Sequence, residues 1–175
     1  MRRWWWIFTV LLVSSAYAED SIQFSPIDKT QSKIIFERFK KMAGHWEGQS
    51  TAGWEGTTET RVIARGSVVM NISRFNDEPE EGMATMLFMD GDRLLLTHYC
   101  EAGNQPTLVA SGIDQAGNSV EFLFLNATNL PSRDKGHMDH VIYTFQDDTH
   151  FTSRWTWYSK GKETWLEEIT YQKTK

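Results

Sequence analysis

A single cysteine, Cys100, stands in a chain of 175 residues. One thiol cannot close an internal disulfide, so the fold must hold through its core, and Cys100 is left as a buried apolar thiol, a reactive thiol or an intermolecular bridge. Long apolar runs are missing too. The ten residues Trp4–Val13 form the most apolar stretch, too short to span a bilayer of roughly 30 Å as a helix. Positive charge is scarce: the formal net charge is −5, with no basic stripe, which repels a polyphosphate and excludes nucleic acid as a partner. Nor is there a phosphate-binding loop, a dinucleotide fingerprint, a zinc-protease motif, a fixed repeat or a low-complexity tract.

What is present begins with a leader. Met1-Arg2-Arg3 precedes the apolar stretch, and Ser14-Ser15-Ala16-Tyr17-Ala18 follows it, the pattern of a secretory signal peptide cleaved after Ala18. Residues 1–18 are therefore expected to leave, giving an exported, periplasmic or secreted protein of about 157 residues, enough for one sizeable core. Its only membrane contact would be that leader. The full twin-arginine pattern is absent, which favours general secretion, and no cysteine at the junction offers a lipid anchor.

Residues 19–29, with Pro26, show no periodicity and read as an extended arm; residues 30–175 read as a single domain. From 31 to 42 the spacing predicts an amphipathic helix with Ile34, Ile35, Phe39 and Met42 on one face, Thr30 as N-cap and Gly44 as the left-handed stop. Thereafter the period is two. Strands are predicted at 45–50, 57–64, 67–75, 83–89, 93–100, 107–113, 119–126, 138–145, 151–158 and 164–172. The separators are turn chemistry, among them Asp90-Gly91, Gln115-Ala116-Gly117-Asn118 and Lys160-Gly161, short enough to join antiparallel neighbours. A flat meander of ten strands would leave long exposed edges, so closure is expected: an all-β, closed antiparallel up-and-down barrel with one N-terminal helix. The lysines at 160, 162, 173 and 175 alternate with Glu163, Glu167 and Glu168, which reads as a solvated surface.

Gly44-His45-Trp46-Glu47-Gly48, after one helix and before a β meander, resembles the Gly-x-Trp opening of lipocalin-like (calycin) barrels. Leu96-Thr97-His98-Tyr99-Cys100, then Gly103-Asn104-Gln105-Pro106 and Gly136-His137-Met138, resemble a group of uncharacterised exported bacterial proteins with that fold. The resemblance implies a barrel whose cup takes a small ligand, with Trp46 packed at its closed end. Members of the group often carry a second His two residues after the position of His137; this chain has Asp139 there.

Alternation assigns the interior. Phe151, Trp155 and Trp157 share one face of their strand, Val120, Phe122, Phe124 and Asn126 one face of another, and Asp139, Val141, Tyr143 and Phe145, with His137 at the end, a third. Leu94, Leu96, His98 and Cys100 are placed inward because Thr97 has the opposite parity. The expected ligand-binding residues are thus His98, Cys100, Asn126, His137, Asp139, Trp155 and Trp157, a largely apolar cup with a few convergent polar groups. The expected function is the binding or carriage of a small apolar or amphipathic ligand. Haem or a metal is the alternative, since His98, Cys100, His137, Asp139 and His140 are all ligand types and some haem-binding lipocalin-like barrels open with a similar Gly-x-Trp. A small enzyme using His98/Cys100 or His137/Asp139 is a further one, although side chains two apart on a strand point in parallel. Asn71-Ile72-Ser73 and Asn126-Ala127-Thr128 match the glycosylation acceptor pattern.

Overall fold

Asp28, not Thr30, starts the helix. In the computed structural model, which describes residues 22–76 and 82–174 and so leaves the leader outside the described residues, α1 spans Lys29–Lys41. The Asp28 carboxylate accepts from the Gln31 amide at 2.8 Å, and the Gln31 side chain accepts from the Asp28 amide at 2.8 Å. This reciprocal box satisfies two amide donors at the helix start. Asp28→Ala is expected to lower stability by about 1 kcal/mol, and Thr30→Ala, at an exposed position, by less than about 0.5 kcal/mol; urea midpoints of the two variants check this. The buried face is Ser32, Ile35, Phe36 and Phe39. Ile34, expected on that face, is 60% exposed, and Phe36 is buried instead.

Every predicted strand forms, with ends that differ by a few residues. After a short β1 (Phe24–Pro26) come β2 (Gly44–Ser50), β3 (Glu55–Ile63), β4 (Val68–Phe75), β5 (Gly82–Asp90), β6 (Arg93–Tyr99), β7 (Gln105–Asp114), β8 (Ser119–Thr128), β9 (His137–Phe145), β10 (His150–Ser159) and β11 (Lys162–Lys173). Each strand from β2 to β11 pairs with its sequence neighbour, and β11 pairs back with β2, so the ten close into an antiparallel up-and-down barrel. Closure removes the edges a flat sheet would expose. At the closing seam Gly48 lies opposite Tyr171; a Cβ there would stand 3.1 Å from the Tyr171 ring, so glycine lets the ring lie flat against the backbone. Within the arm expected at 19–29, Phe24–Pro26 form the eleventh strand, Lys29 already belongs to α1, and residues 19–21 lie outside the described residues. β6 pairs with β7 only over Leu95–Thr97, and β1 takes the β7 edge further along, at Gly112–Asp114.

The helix closes one end of the barrel. Phe39 and Ile35 are buried against the lower barrel, whose inward residues include Leu94, Leu96, Leu108, Val120 and Phe122. Trp46 is 1% exposed and donates from its indole to the Met42 carbonyl at 2.8 Å, tying the first barrel strand to the end of α1. Arg38 donates to the Gly117 carbonyl at 3.2 Å and lies over the Phe145 ring. Burial of each such large apolar side chain contributes about 1.5–3 kcal/mol, so this half of the barrel is filled. At the opposite end β2–β3, β6–β7, β8–β9 and β10–β11 are joined, and among the described residues no helix covers it.

Three strand pairs carry bulges that matter to the site. Trp157 faces Met138 while Thr156 faces His140, which leaves Asp139 as the extra residue in β9. Thr156 faces Trp165 while Trp155 faces Glu167, leaving Leu166 extra in β11. Thr107 faces Asn126 while Leu108 faces Phe124, leaving Leu125 extra in β8. Beyond each extra residue the inward set changes parity.

Candidate functional site

Above the plug, the inward residues of β3 to β6 turn polar. Thr60, Asn71, Thr85 and His98 are successive cross-strand partners, and all four are buried. One step nearer the mouth, the hydroxyls of Thr58 and Ser73 lie 2.9 Å apart. The facing wall, from β9 to β11, is aromatic: Tyr143, Phe151, Trp155 and Tyr171 line the same chamber as Asn71 and His98. Phe151 and Tyr171 stack at 4.3 Å. The chamber between the walls has a volume of about 40 Å³, room for one small polar group or a few waters.

His98 is its principal polar group. Nδ1 lies 2.9 Å from the Thr85 hydroxyl, the ring packs 5.0 Å from Trp155, and burial drives its pKa down to about 4. The imidazole is therefore neutral at pH 7. Its Nε2 and the Asn71 Oδ1 are buried without a protein partner among the described residues. Each orphaned polar atom costs roughly 1–3 kcal/mol, a cost that a ligand with matching hydrogen-bonding groups would relieve. Tyr171 is hydrogen-bonded to Ser153 and Thr58, and burial pushes its phenol up to about 12. Burial likewise pushes Tyr143 upward, so both phenols are neutral.

The chamber opens into a vestibule of about 460 Å³ walled by Trp54, Phe75, Met83, Met138, Trp157 and Leu166, with Cys100 and Glu101 on its rim. Glu167 lines both spaces and is only 6% exposed. Its Oε2 accepts from the Trp54 indole at 2.6 Å and from the Ser50 hydroxyl at 2.5 Å.

Of the expected site residues, His98 and Trp155 line the chamber, and Cys100 and Trp157 line the vestibule. The other three lie elsewhere. Met138 lines both spaces, whereas His137 and Asp139 on either side of it line neither, the ladder being bulged at Asp139. They sit under Arg133, which contacts both and lies over the Phe124 and Tyr158 rings. His137 Nδ1 donates to the Lys135 carbonyl at 2.6 Å. Asn126, beyond the bulge at Leu125, is exposed. Glu167, read from sequence as a solvated charge, is the reverse error: it shares the inward parity of Ile169 and Tyr171, and that alternation was the available signal. Asn71 and Thr85 were also missed, since single polar residues in strands give no sequence cue to a shared cavity, and so was Trp54, which lies in the loop between β2 and β3, outside any alternation.

No hydrogen bond joins His98 to Cys100 among the described residues, burial raises the Cys100 pKa and keeps the thiol protonated, and the His137/Asp139 pair is held by Arg133 off the cavity. Neither pair is set up as nucleophile and base. No group of three or more His, Cys, Asp or Glu side chains among the described residues is placed to hold a metal ion; His140 lies between Glu121 and Glu163, away from both cavities. A haem does not fit these residues: His98 Nε2 faces a chamber of about 40 Å³, far smaller than the macrocycle, with Trp155 already against the ring.

No family model and no curated protein matches the chain. Among solved structures it is similar to a protein of unknown function from the DUF3598 family of Nostoc punctiforme, with 12% identity and a TM-score of 0.51 over 78% of this chain and 49% of that one. The chain thus spans about half the length of that protein, and the likeness is one of fold.

Proposed function

We propose that this is an exported binding or carrier protein with a lipocalin-like barrel, which takes a small, largely apolar molecule bearing a hydrogen-bonding group. The observation that carries the reading is the pairing of two unpartnered polar atoms, His98 Nε2 and Asn71 Oδ1, at the bottom of an apolar vestibule. An apolar body in the vestibule gains its affinity from buried area, and the inner polar atoms orient it. The volumes match this division: the outer space accepts a ring or short chain, the inner one only a head group. Protein isolated from its own host is expected to carry a noncovalent mass in native mass spectrometry, released on denaturation and reduced in an Asn71→Leu/His98→Leu variant. Recovery of the unliganded mass alone, under conditions that preserve noncovalent complexes, would count against the proposal.

A further inference from the structure

Glu167 lines both the vestibule and the chamber, is 6% exposed, and has no ion pair among the described residues. Its protein partners are both neutral, the Trp54 indole N–H and the Ser50 hydroxyl, and both bond Oε2. Oε1 has no protein donor among the described residues. A buried charge normally has an ionic partner, because neutral hydrogen bonds only partly replace the lost hydration. The linings of the two spaces include Glu101 and Glu167 but no Lys or Arg, and the imidazole of His98 is neutral. The buried carboxylate of Glu167 thus faces a space with no counter-charge in its lining, and Trp54, Phe75 and Trp157 line that same space.

We infer that the ligand is an organic cation: a small ammonium compound whose charged nitrogen sits against Glu167 and whose apolar body lies among the vestibule aromatics. This rests on the binding reading above and names the chemical class it leaves open. A carboxylate in an aromatic-lined space suits an ammonium twice over, through a charge-assisted hydrogen bond to the carboxylate and through the ring quadrupoles of the lining. A hard metal ion would need several more oxygen ligands than one carboxylate provides. An anionic ligand would meet two carboxylates and no compensating charge. The acidic balance of the chain, −5 overall, also favours the approach of a cation.

The test is titration calorimetry of the protein, prepared from the full-length chain, with three probes of nearly equal shape: 2-phenylethylamine, 2-phenylethanol and phenylacetate. The amine is expected to bind roughly ten- to hundredfold more tightly than the alcohol, with phenylacetate weakest. In E167Q, whose amide oxygen can still accept from Trp54 and Ser50, the amine should lose its advantage over the alcohol. Equal or tighter binding of the alcohol by the wild-type protein overturns the cation inference without recourse to the variant, and leaves the carrier reading standing. An amine preference that survives E167Q also overturns it. If none of the three binds, the mass retained from the host decides: an organic cation supports the inference, a neutral or anionic molecule overturns it, and no retained mass overturns both readings.

Discussion

Phe39→Ala is expected to lower the unfolding free energy by about 3–5 kcal/mol, the range for truncating a fully buried aromatic in a core that cannot collapse around the loss. Phe39 is 0% exposed, and its ring meets Phe122, Tyr143 and Phe145 edge-on at centroid distances of 6.2, 5.1 and 5.1 Å. These three rings come from β8 and β9, strands fixed by their own hydrogen-bonded ladders, so they cannot move in to fill the gap. For a domain of this size the loss corresponds to a fall in Tm of roughly 10 °C. Ile34→Ala, on the exposed side of the same helix, should stay within about 0.5 kcal/mol. Urea unfolding followed by tryptophan fluorescence, with an unchanged slope, measures both. A loss below about 1 kcal/mol for Phe39→Ala would mean that the helix is not part of the cooperative core.

Acid should destabilise the protein through His98, by an amount on the order of 3 kcal/mol. The unfolded chain binds a proton at His98 near pH 6.5, whereas burial holds the native imidazole neutral down to about pH 4. Between those values the unfolded state carries the extra proton. The full stability is present above pH 6.5, and it falls by about 1.4 kcal/mol per pH unit as the pH drops toward 4. Below that the native state is protonated as well and the loss levels off. His98→Gln keeps a polar partner for Thr85 but cannot titrate, so its stability profile should be flatter over this window. Denaturant unfolding at a series of pH values, with the variant's curve subtracted from the wild type's, isolates this term from the other titrating groups. Parallel curves would show that His98 is not buried neutral in the native protein.

The same residue shows why parts of the site were readable in advance. His98 follows Leu94 and Leu96 at a spacing of two in a strand without a bulge, and although Leu95 is apolar too, Thr97 on its parity marks the other face as inward. The same holds for Phe151 and Trp155 in β10. The helix and the ten barrel strands were legible for related reasons, because turn pairs such as Asp90-Gly91 and the change of period at Gly44 are local signals. Glu167 keeps the alternation of Ile169 and Tyr171 and was misread only because it stands in a run of charges, whereas His137, Asp139 and Asn126, which line neither cavity, share one cause. Each of these three lies at or beyond an extra residue in its ladder, Asp139 or Leu125, where counting by twos fails.

Alternation and turn chemistry therefore settle, from the chain alone, that a helix precedes a meander of antiparallel strands with one apolar face, and closure follows from the need to pair the edges. Which polar groups meet inside the barrel was decided only by the assembled strands. A bulge is a mismatch in length between two strands, a property of the pair, so the strand that carries it holds no local mark of where its inward face changes. The buried carboxylate of Glu167 and the neutral imidazole of His98 became parts of one cavity when β11 and β6 came to line opposite sides of it.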